Sequence, residues 1–215
     1  MRPPRPLVRS LARLDYGEAR DRMRSFTAGR ATDTRDEIWL VEHPPIFTLG
    51  LATRPEHLPA TTDIPVVQTE RGGQITYHGP GQVLAYTLVD LRRRRMAVRD
   101  FVALIEQAVI DALAALGLPA VRREGAPGVY LSLPDSEPGA KIASIGIKVS
   151  HGCTYHGVAL NVAMDLEPFS RIDPCGFPGL PVTDLRSQLG DAAPAMEAVA
   201  PLLGEKLADL IEGQA

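Results

Sequence analysis

The order of structure-forming segments predicts an α+β fold with a central mixed, largely antiparallel sheet flanked by helices. Three observations carry this. Strand-like runs come in neighbouring groups and do not alternate strictly with helices, as a doubly wound parallel sheet would require. Two of these runs, 141–149 and 154–162, are separated only by a short connection through Ser150, His151 and Gly152, which suits a hairpin. The clearest helical patterns lie outside the strand groups, near the start, the middle and the end of the chain.

Taken in order, residues 7–30 show helical spacing, with Leu7, Leu11, Leu14, Met23 and Phe26 on one apolar side. Gly17 weakens the middle of that stretch, which shifts the expected helix start to near Asp15. Glu37–Glu42 reads as a strand stopped by Pro44 and Pro45, which cannot donate to a ladder. Residues 65–69 and 82–91 are rich in strand formers. Residues 98–116 form a helical pattern with Phe101, Ile105, Ala108, Ala112 and Ala115 on one side, ended by Gly117 and Pro119. A strand is expected at 128–133, followed by the hairpin, then helices at 183–189 and 195–211, with Pro194 just ahead of the last one. The Pro- and Gly-rich stretch 173–181 reads as a joint to a small C-terminal helical subdomain from about residue 183, within a single catalytic domain spanning 1–215.

Composition narrows the function. A chain of 215 residues that is 45% hydrophobic can bury a sizeable core. A formal charge of -3 argues against a nucleic-acid binder that works through bulk positive charge. Charges interrupt every apolar stretch well before the ~20 residues a membrane helix needs. The basic N-terminus lacks the apolar stretch and cleavage site of a secretory signal. A soluble cytoplasmic protein, monomeric and without nucleic-acid or membrane partners, is therefore expected. Two cysteines, Cys153 and Cys175, imply no disulfide framework.

The two cysteines read differently. Cys153 reads as a small buried hydrophobe, the usual state of a free cysteine in a reducing compartment. Pro174, Gly176 and Pro178 place Cys175 in a turn, where a thiol is available as a nucleophile. A nearby ammonium ion would favour its thiolate form. Lys141 opens a strand in which 141, 143, 145 and 147 are expected to share one face, with Lys148 as a solvated charge on the other. Spacing alone does not bring Lys141 to Cys175.

The segment from Arg71 to Gln82 carries Gly72, Gly73, Gly79 and Gly81, which let main chain approach a ligand closely. It lacks the Lys-Ser/Thr ending of a phosphate-binding loop and the G-x-G-x-x-G of a dinucleotide site. A glycine-rich hairpin is the plain alternative. His78, flanked by these glycines, is placed at an active cleft. His151, Cys153 and His156 do not read as a metal site, since 156 should point away from 151 and 153 and no C-x-x-C pair accompanies them. The run Arg92 to Arg95 fits either a patch steering an acidic partner or a solvated turn ahead of the 98–116 helix.

Several blocks then agree in order. RGGQITYHGPGQVLAYTLVDL resembles the signature of the lipoyl(octanoyl) transferases, and KIASIGIKV and HGCTYHGVALNV are similar to that family's next two blocks. DPCGFPGLPVTDL resembles the block that carries its cysteine, and EHPPIFTLG the segment preceding them all. The likeness runs from about Leu14 to Leu189.

That resemblance implies the biotin/lipoate protein ligase-like fold. It implies transfer of an octanoyl group from octanoyl-acyl carrier protein to a specific lysine of lipoyl domains, in 2-oxoacid dehydrogenase complexes and the glycine cleavage H protein, as the first step of endogenous lipoylation. Cys175 is then the thioester-forming nucleophile and Lys141 the residue that lowers its pKa and relays protons. Arg71, Gly72, Gly73, Gln74, Ile75, Thr76, Tyr77 and His78, with Ser144, Ile145, Gly146, Gly157, Val158 and Ala159, match positions lining the acyl substrate. No metal or cofactor is implied. Rival readings are an ATP-dependent lipoate or biotin ligase on the same fold, a non-catalytic acyl-binding protein, and a papain-like hydrolase pairing Cys175 with a histidine.

Overall fold

A computed structural model describes residues 3–54, 62–132, 138–173, 177 and 179–213. Strand β1 (Leu7–Arg13) is followed by helix α1 (Tyr16–Ala28), then β2 (Glu37–Glu42), β3 (Ile46–Leu49), β4 (Val66–Gln68), β5 (Thr76–His78) and β6 (Gln82–Leu88). Helix α2 (Val98–Ala115) leads into β7 (Ala120–Val121), β8 (Gly128–Ser132), β9 (Pro138–Ser150) and β10 (Cys153–Asn161). A 3-10 turn at Glu167–Arg171, helix α3 (Leu185–Leu189) and helix α4 (Met196–Gly213) complete the order.

Seven strands form one sheet in the order β1-β2-β6-β10-β9-β8-β7. Only the β1–β2 pair is parallel; the other pairs are antiparallel. A small sheet, β4-β3-β5, covers one edge of the cleft described below. The expected α+β class with a mixed, largely antiparallel sheet is what the chain adopts. The β9–β10 hairpin turns through His151 and Gly152, both at positive φ (50° and 78°), the backbone of a type I′ turn whose twist matches the strands it joins.

The first stretch departs from expectation. Residues 7–13 are a strand, because they pair in parallel with β2 and place Arg9 on Glu37 and Arg13 on Glu42 as cross-strand ion pairs. Helix α1 starts where Gly17 suggested: Asp15 caps it, accepting from the N–H of Gly17 at 2.8 Å and of Glu18 at 3.2 Å.

The sheet has two covered faces. Ile38, Leu40, Val83, Ala85, Val158 and Leu160 face α2 and α4, which supply Phe101, Ile105, Val109, Leu203, Leu207 and Ile211 to the same core. Helix α4, in the segment expected to form a small C-terminal helical subdomain, contributes Leu203, Leu207 and Ile211 to this core. Each such buried side chain is worth roughly 1.5–3 kcal/mol by transfer. On the other face α1 lays Ala19 and Met23 against Trp39, Leu84, Tyr86, Leu88 and Ala159.

The arginine run forms a turn ahead of α2, as one of its two readings expected, but it is solvated only in part. Arg94 is buried at 3% exposure, its Nε donating to Asp36 Oδ2 at 2.7 Å and its two Nη groups to the carbonyls of Ile211 and Pro4. Arg93 and Arg30 also bond the Asp36 carboxylate, and the Asp90 N–H donates to it at 3.0 Å. Asp36 is 0% exposed, so Arg93 and Arg94 are partners of a buried carboxylate, and only Arg92 and Arg95 lie exposed.

Candidate active site

Between α1, the 71–78 segment and the β6-β10-β9 face lies a cleft with about 560 Å³ of atom-free space, open solvent included. Its walls are Tyr16, Arg71, Gly73, Gln74, Ile75, Thr76, His78, Leu84, Tyr86, Ser144, Ile145, Gly146, His156, Gly157, Val158 and Ala159. Of the residues expected to line an acyl substrate, all but Gly72 and Tyr77 border it. The Gly72 N–H instead donates to the Ile147 carbonyl at 2.9 Å, seaming the loop onto β9. Tyr77 turns away from the cleft, packing with Phe47 and Phe169.

The close approach of that loop needs a glycine beneath it. A Cβ at Gly146 would come within 3.0 Å of the Gly72 carbonyl oxygen and 3.1 Å of Arg71 Cδ. Arg71 is itself buried, with Nη2 donating to the Thr48 carbonyl at 2.6 Å and to Thr48 Oγ1 at 2.9 Å.

From Arg71 a chain of hydrogen bonds crosses the floor of the site. Because Thr48 Oγ1 accepts from Arg71, its own hydrogen is available to His78 Nε2, 3.2 Å away. His78 Nδ1 lies 2.7 Å from Gln82 Oε1, and Gln82 Nε2 donates to Asn161 Oδ1 at 2.8 Å. Asn161 Nδ2 donates to the Thr183 carbonyl at 2.9 Å, and the Thr183 N–H donates to the Lys141 carbonyl at 2.9 Å. Every donor points the same way, which requires a neutral His78 protonated on Nδ1. Burial, reinforced by His43, holds the His78 imidazole down to about 3. His43 is likewise lowered, by burial first, with Nε2 at 2.6 Å from the Tyr86 hydroxyl.

His156 was expected to point away from His151 and Cys153. Its φ of 60° breaks the alternation of β10, so its ring lies beside Tyr155 and stacks on Tyr16 at the cleft wall. Among the described residues its Nε2 has no hydrogen-bond partner, and burial, with Arg71 next, lowers its pKa to about 3. Burial pushes the Tyr16 hydroxyl up to about 12. Strained backbone at a cleft wall is a recognised mark of function, and no side-chain pattern in the sequence announced it. Tyr16, Leu84 and Tyr86 were missed as well. They belong to a helix start and a central strand, whose pattern signals packing only.

Lys141 is buried at 1% exposure. Its Nζ donates to the Pro127 carbonyl at 3.0 Å and lies 5.3 Å from the centre of the Tyr130 ring. Its backbone is clamped on both sides by the chain that follows the cysteine segment: its N–H donates to the Pro181 carbonyl at 2.8 Å, and its carbonyl accepts from Thr183. The sequence placed it on a face with 143, 145 and 147. A register shift opposite Val129 and Tyr130 changes that: Ile142 and Ala143 both enter the α2–α4 core, while Lys141 lies over Tyr130, away from it. Cys175 lies outside the described residues. Cys153 is buried, and its thiol is raised by that burial. Among the described residues no three His, Cys, Asp or Glu side chains gather as a metal-binding group, and no helix is long and apolar enough to cross a membrane.

A family model for the lipoyl protein ligase A/B catalytic domain matches residues 15–208. The chain is 59% identical over 183 residues to an octanoyltransferase of Thiobacillus denitrificans, covering 85% of this chain and 81% of that one. It is 54% identical over 213 residues to an octanoyltransferase of Herminiimonas arsenicoxydans, covering 97% of each. Among solved structures it is similar to a bi-partite lipoate protein ligase with its E2 lipoyl domain from Thermoplasma acidophilum, with a TM-score of 0.73, 15% identity, and 95% and 83% of the two chains covered. A lipoate-protein ligase A bound with ATP aligns with a TM-score of 0.68 and 17% identity over 98% and 85% of the two chains, a likeness of fold. By the matched domain and by identity over most of its length, this chain belongs to the lipoyl protein ligase A/B catalytic-domain family, among its octanoyltransferases, and is an acyltransferase.

Proposed function

We propose that the enzyme takes an octanoyl group from octanoyl-acyl carrier protein onto Cys175 and passes it to the target lysine of a lipoyl domain. The observation that carries this reading is the burial of Lys141, three residues along β9 from the cleft-lining Ser144, with its backbone hydrogen-bonded to residues 181 and 183, a short way along the chain from Cys175. Octanoyltransferase relatives and the lipoyl-ligase fold support the substrate class.

In this reading the Cys175 thiolate attacks the carrier thioester carbonyl. The carbon–sulfur bond to the carrier breaks, and the departing thiolate takes a proton from the Lys141 ammonium. Lys141, now neutral, accepts a proton from the incoming lysine amine, which attacks the octanoyl-enzyme. An amide forms and Cys175 leaves as thiolate, restoring the start. A thioester becomes an amide, so no ATP enters the balance. The apolar cleft wall of Ile75, Leu84, Ile145, Val158 and Ala159 suits an alkyl chain, at ~0.8 kcal/mol per buried methylene.

The test is intact-protein mass after mixing with octanoyl-acyl carrier protein in the absence of ATP. One added octanoyl group that requires Cys175 and is chased onto a lipoyl domain is expected. An unmodified enzyme, or labelling from free octanoate only when ATP is added, would replace this reading with the adenylating ligase.

A further inference from the structure

We propose that Glu106, a buried carboxylate of α2 outside the cleft, is a positioning residue for the Lys141 ammonium and acts through the Pro127–Gly128 peptide. This rests on the reading of Lys141 as the proton-handling residue.

The argument starts from one peptide unit. Glu106 Oε1 accepts from the Gly128 N–H at 3.1 Å, and the Pro127 carbonyl, the other end of that unit, accepts from Lys141 Nζ at 3.0 Å. A trans peptide is planar, with N–H and C=O aimed in opposite directions. Holding the N–H from the α2 side therefore aims the carbonyl at the ammonium on the other side of the sheet edge. A carboxylate on the N–H also polarises the unit, which strengthens its carbonyl as an acceptor.

The carboxylate is itself tied down. Its second oxygen accepts from Arg122 Nε at 3.1 Å, and Arg122 Nη2 is held by the Ala103 carbonyl at 2.9 Å and Gln107 Oε1 at 2.8 Å. Both oxygens of a side chain only 7% exposed are thus assigned, one to a cation and one to this peptide. On the lysine side, residue 128 has to be glycine. Its φ is 139°, and a Cβ there would fall 2.7 Å from Lys141 Cε and 3.0 Å from Nζ. Tyr130 closes the other side, with its hydroxyl donating to the Ala126 carbonyl of the same turn at 3.1 Å. Among the described residues, the charged and titratable groups that face this corner include Glu106 and Arg122 from the α2 side, Tyr130, and Arg123, whose guanidinium lies 5.9 Å from the Tyr130 ring centre. Glu106 is an anion set against Arg122 and, through the peptide, the ammonium.

A proton donor must sit within hydrogen-bond reach of the departing sulfur, so a small drift of Nζ costs rate before it costs binding. A bond that merely stapled β8 to α2 would affect stability alone. The two roles separate in Glu106→Ala, which removes the acceptor, and Glu106→Gln, which keeps a neutral one. The measurements are single-turnover octanoylation, KM for octanoyl-acyl carrier protein, and iodoacetamide alkylation of Cys175 against pH, resolved from Cys153 by peptide mass, with Lys141→Ala as reference. Octanoylation by Glu106→Ala is expected to fall about tenfold with KM within about twofold, and its alkylation profile to move toward that of Lys141→Ala. Glu106→Gln should recover most of the rate; if the alanine variant does not fold, Glu106→Asp, whose carboxylate is drawn back from the Gly128 N–H, carries the test with the same expected loss. Wild-type octanoylation and alkylation profiles in both variants, whatever the melting temperatures, would overturn the proposal. A Lys141→Ala protein that octanoylates as wild type would instead overturn the reading of Lys141 itself.

Discussion

Acid should destabilise this protein through the histidines of its cleft. His78 and His156 sit near 3 in the folded chain because burial disfavours their cations, against about 6.5 when unfolded. Above pH 6.5 both states hold these rings neutral, and their contribution to stability is fully present. As pH falls from 6.5 toward 3 the unfolded chain binds protons that the folded chain refuses, so stability is lost across that window. At pH 5 each ring costs about 2 kcal/mol, and the two together about 4 kcal/mol. His43 is lowered as well and acts in the same direction. Domain stabilities are usually about 5–15 kcal/mol, so the loss is large.

The assay is urea unfolding at pH 7.5 and 5.0 at equal ionic strength, followed by the single tryptophan, Trp39, which is buried on the same face of the sheet as α1. His156→Asn isolates one group, because asparagine tolerates the positive φ of that position and does not titrate there. The variant should narrow the difference between the two pH values by about 2 kcal/mol. Wild-type stability equal at both pH values, or an undiminished difference in His156→Asn, would refute the reasoning. The structural cost of protonating His78 is specific: a second N–H on the ring would face the Thr48 hydroxyl, which would have to give up donating to it.

Three further outcomes follow from the geometry. Lys141→Ala should leave no detectable octanoyl adduct within the wild-type turnover time, a loss on the order of a hundredfold or more in single-turnover rate. Gly146→Val should press on the Gly72 carbonyl and Arg71, raising KM for the octanoyl donor about tenfold in steady-state assays, with a smaller change in kcat. Arg94→Ala should lower stability by about 3–5 kcal/mol in denaturant titrations by leaving Asp36 short of a buried partner. It should leave KM for the carrier unchanged; a raised, salt-sensitive KM would restore the docking idea for the run.

Much of this architecture was legible because the elements that carry it obey simple periods. The β9–β10 hairpin announced itself through two β-rich runs around a turn with glycine, and α2 through its apolar spacing and Gly117. Residues 7–13 misled because their leucines recur at helical spacing in an edge strand, where pairing with β2 overrides propensity. The glycine segment marked one wall of the cleft, since close backbone approach needs glycines wherever it occurs. The floor was hidden: Thr48, Gln82 and Asn161 are ordinary strand residues, tied to His78 only by folding. The arginine run was unreadable for the same reason, because Asp36 lies 57 and 58 residues from the two arginines of the run that bind it.

Two of the places where strand alternation fails set the positions of Lys141 and His156. In a regular β9, Lys141 would share the face of Ala143, Ile145 and Ile147 and enter the α2–α4 core, where a lone ammonium costs several kcal/mol. The register shift at Val129 and Tyr130 seats Ile142 in that core and turns Lys141 to the Pro127 carbonyl and the Tyr130 ring, partners suited to a cation. In a regular β10, His156 would point with Val158 and Leu160 into the same core. Its positive φ, at a cost of about 1–3 kcal/mol, brings the ring to Tyr16 in the cleft. Each irregularity exchanges a local strain for removing a polar group from the apolar core. A reading of the sequence by period two misplaces both side chains.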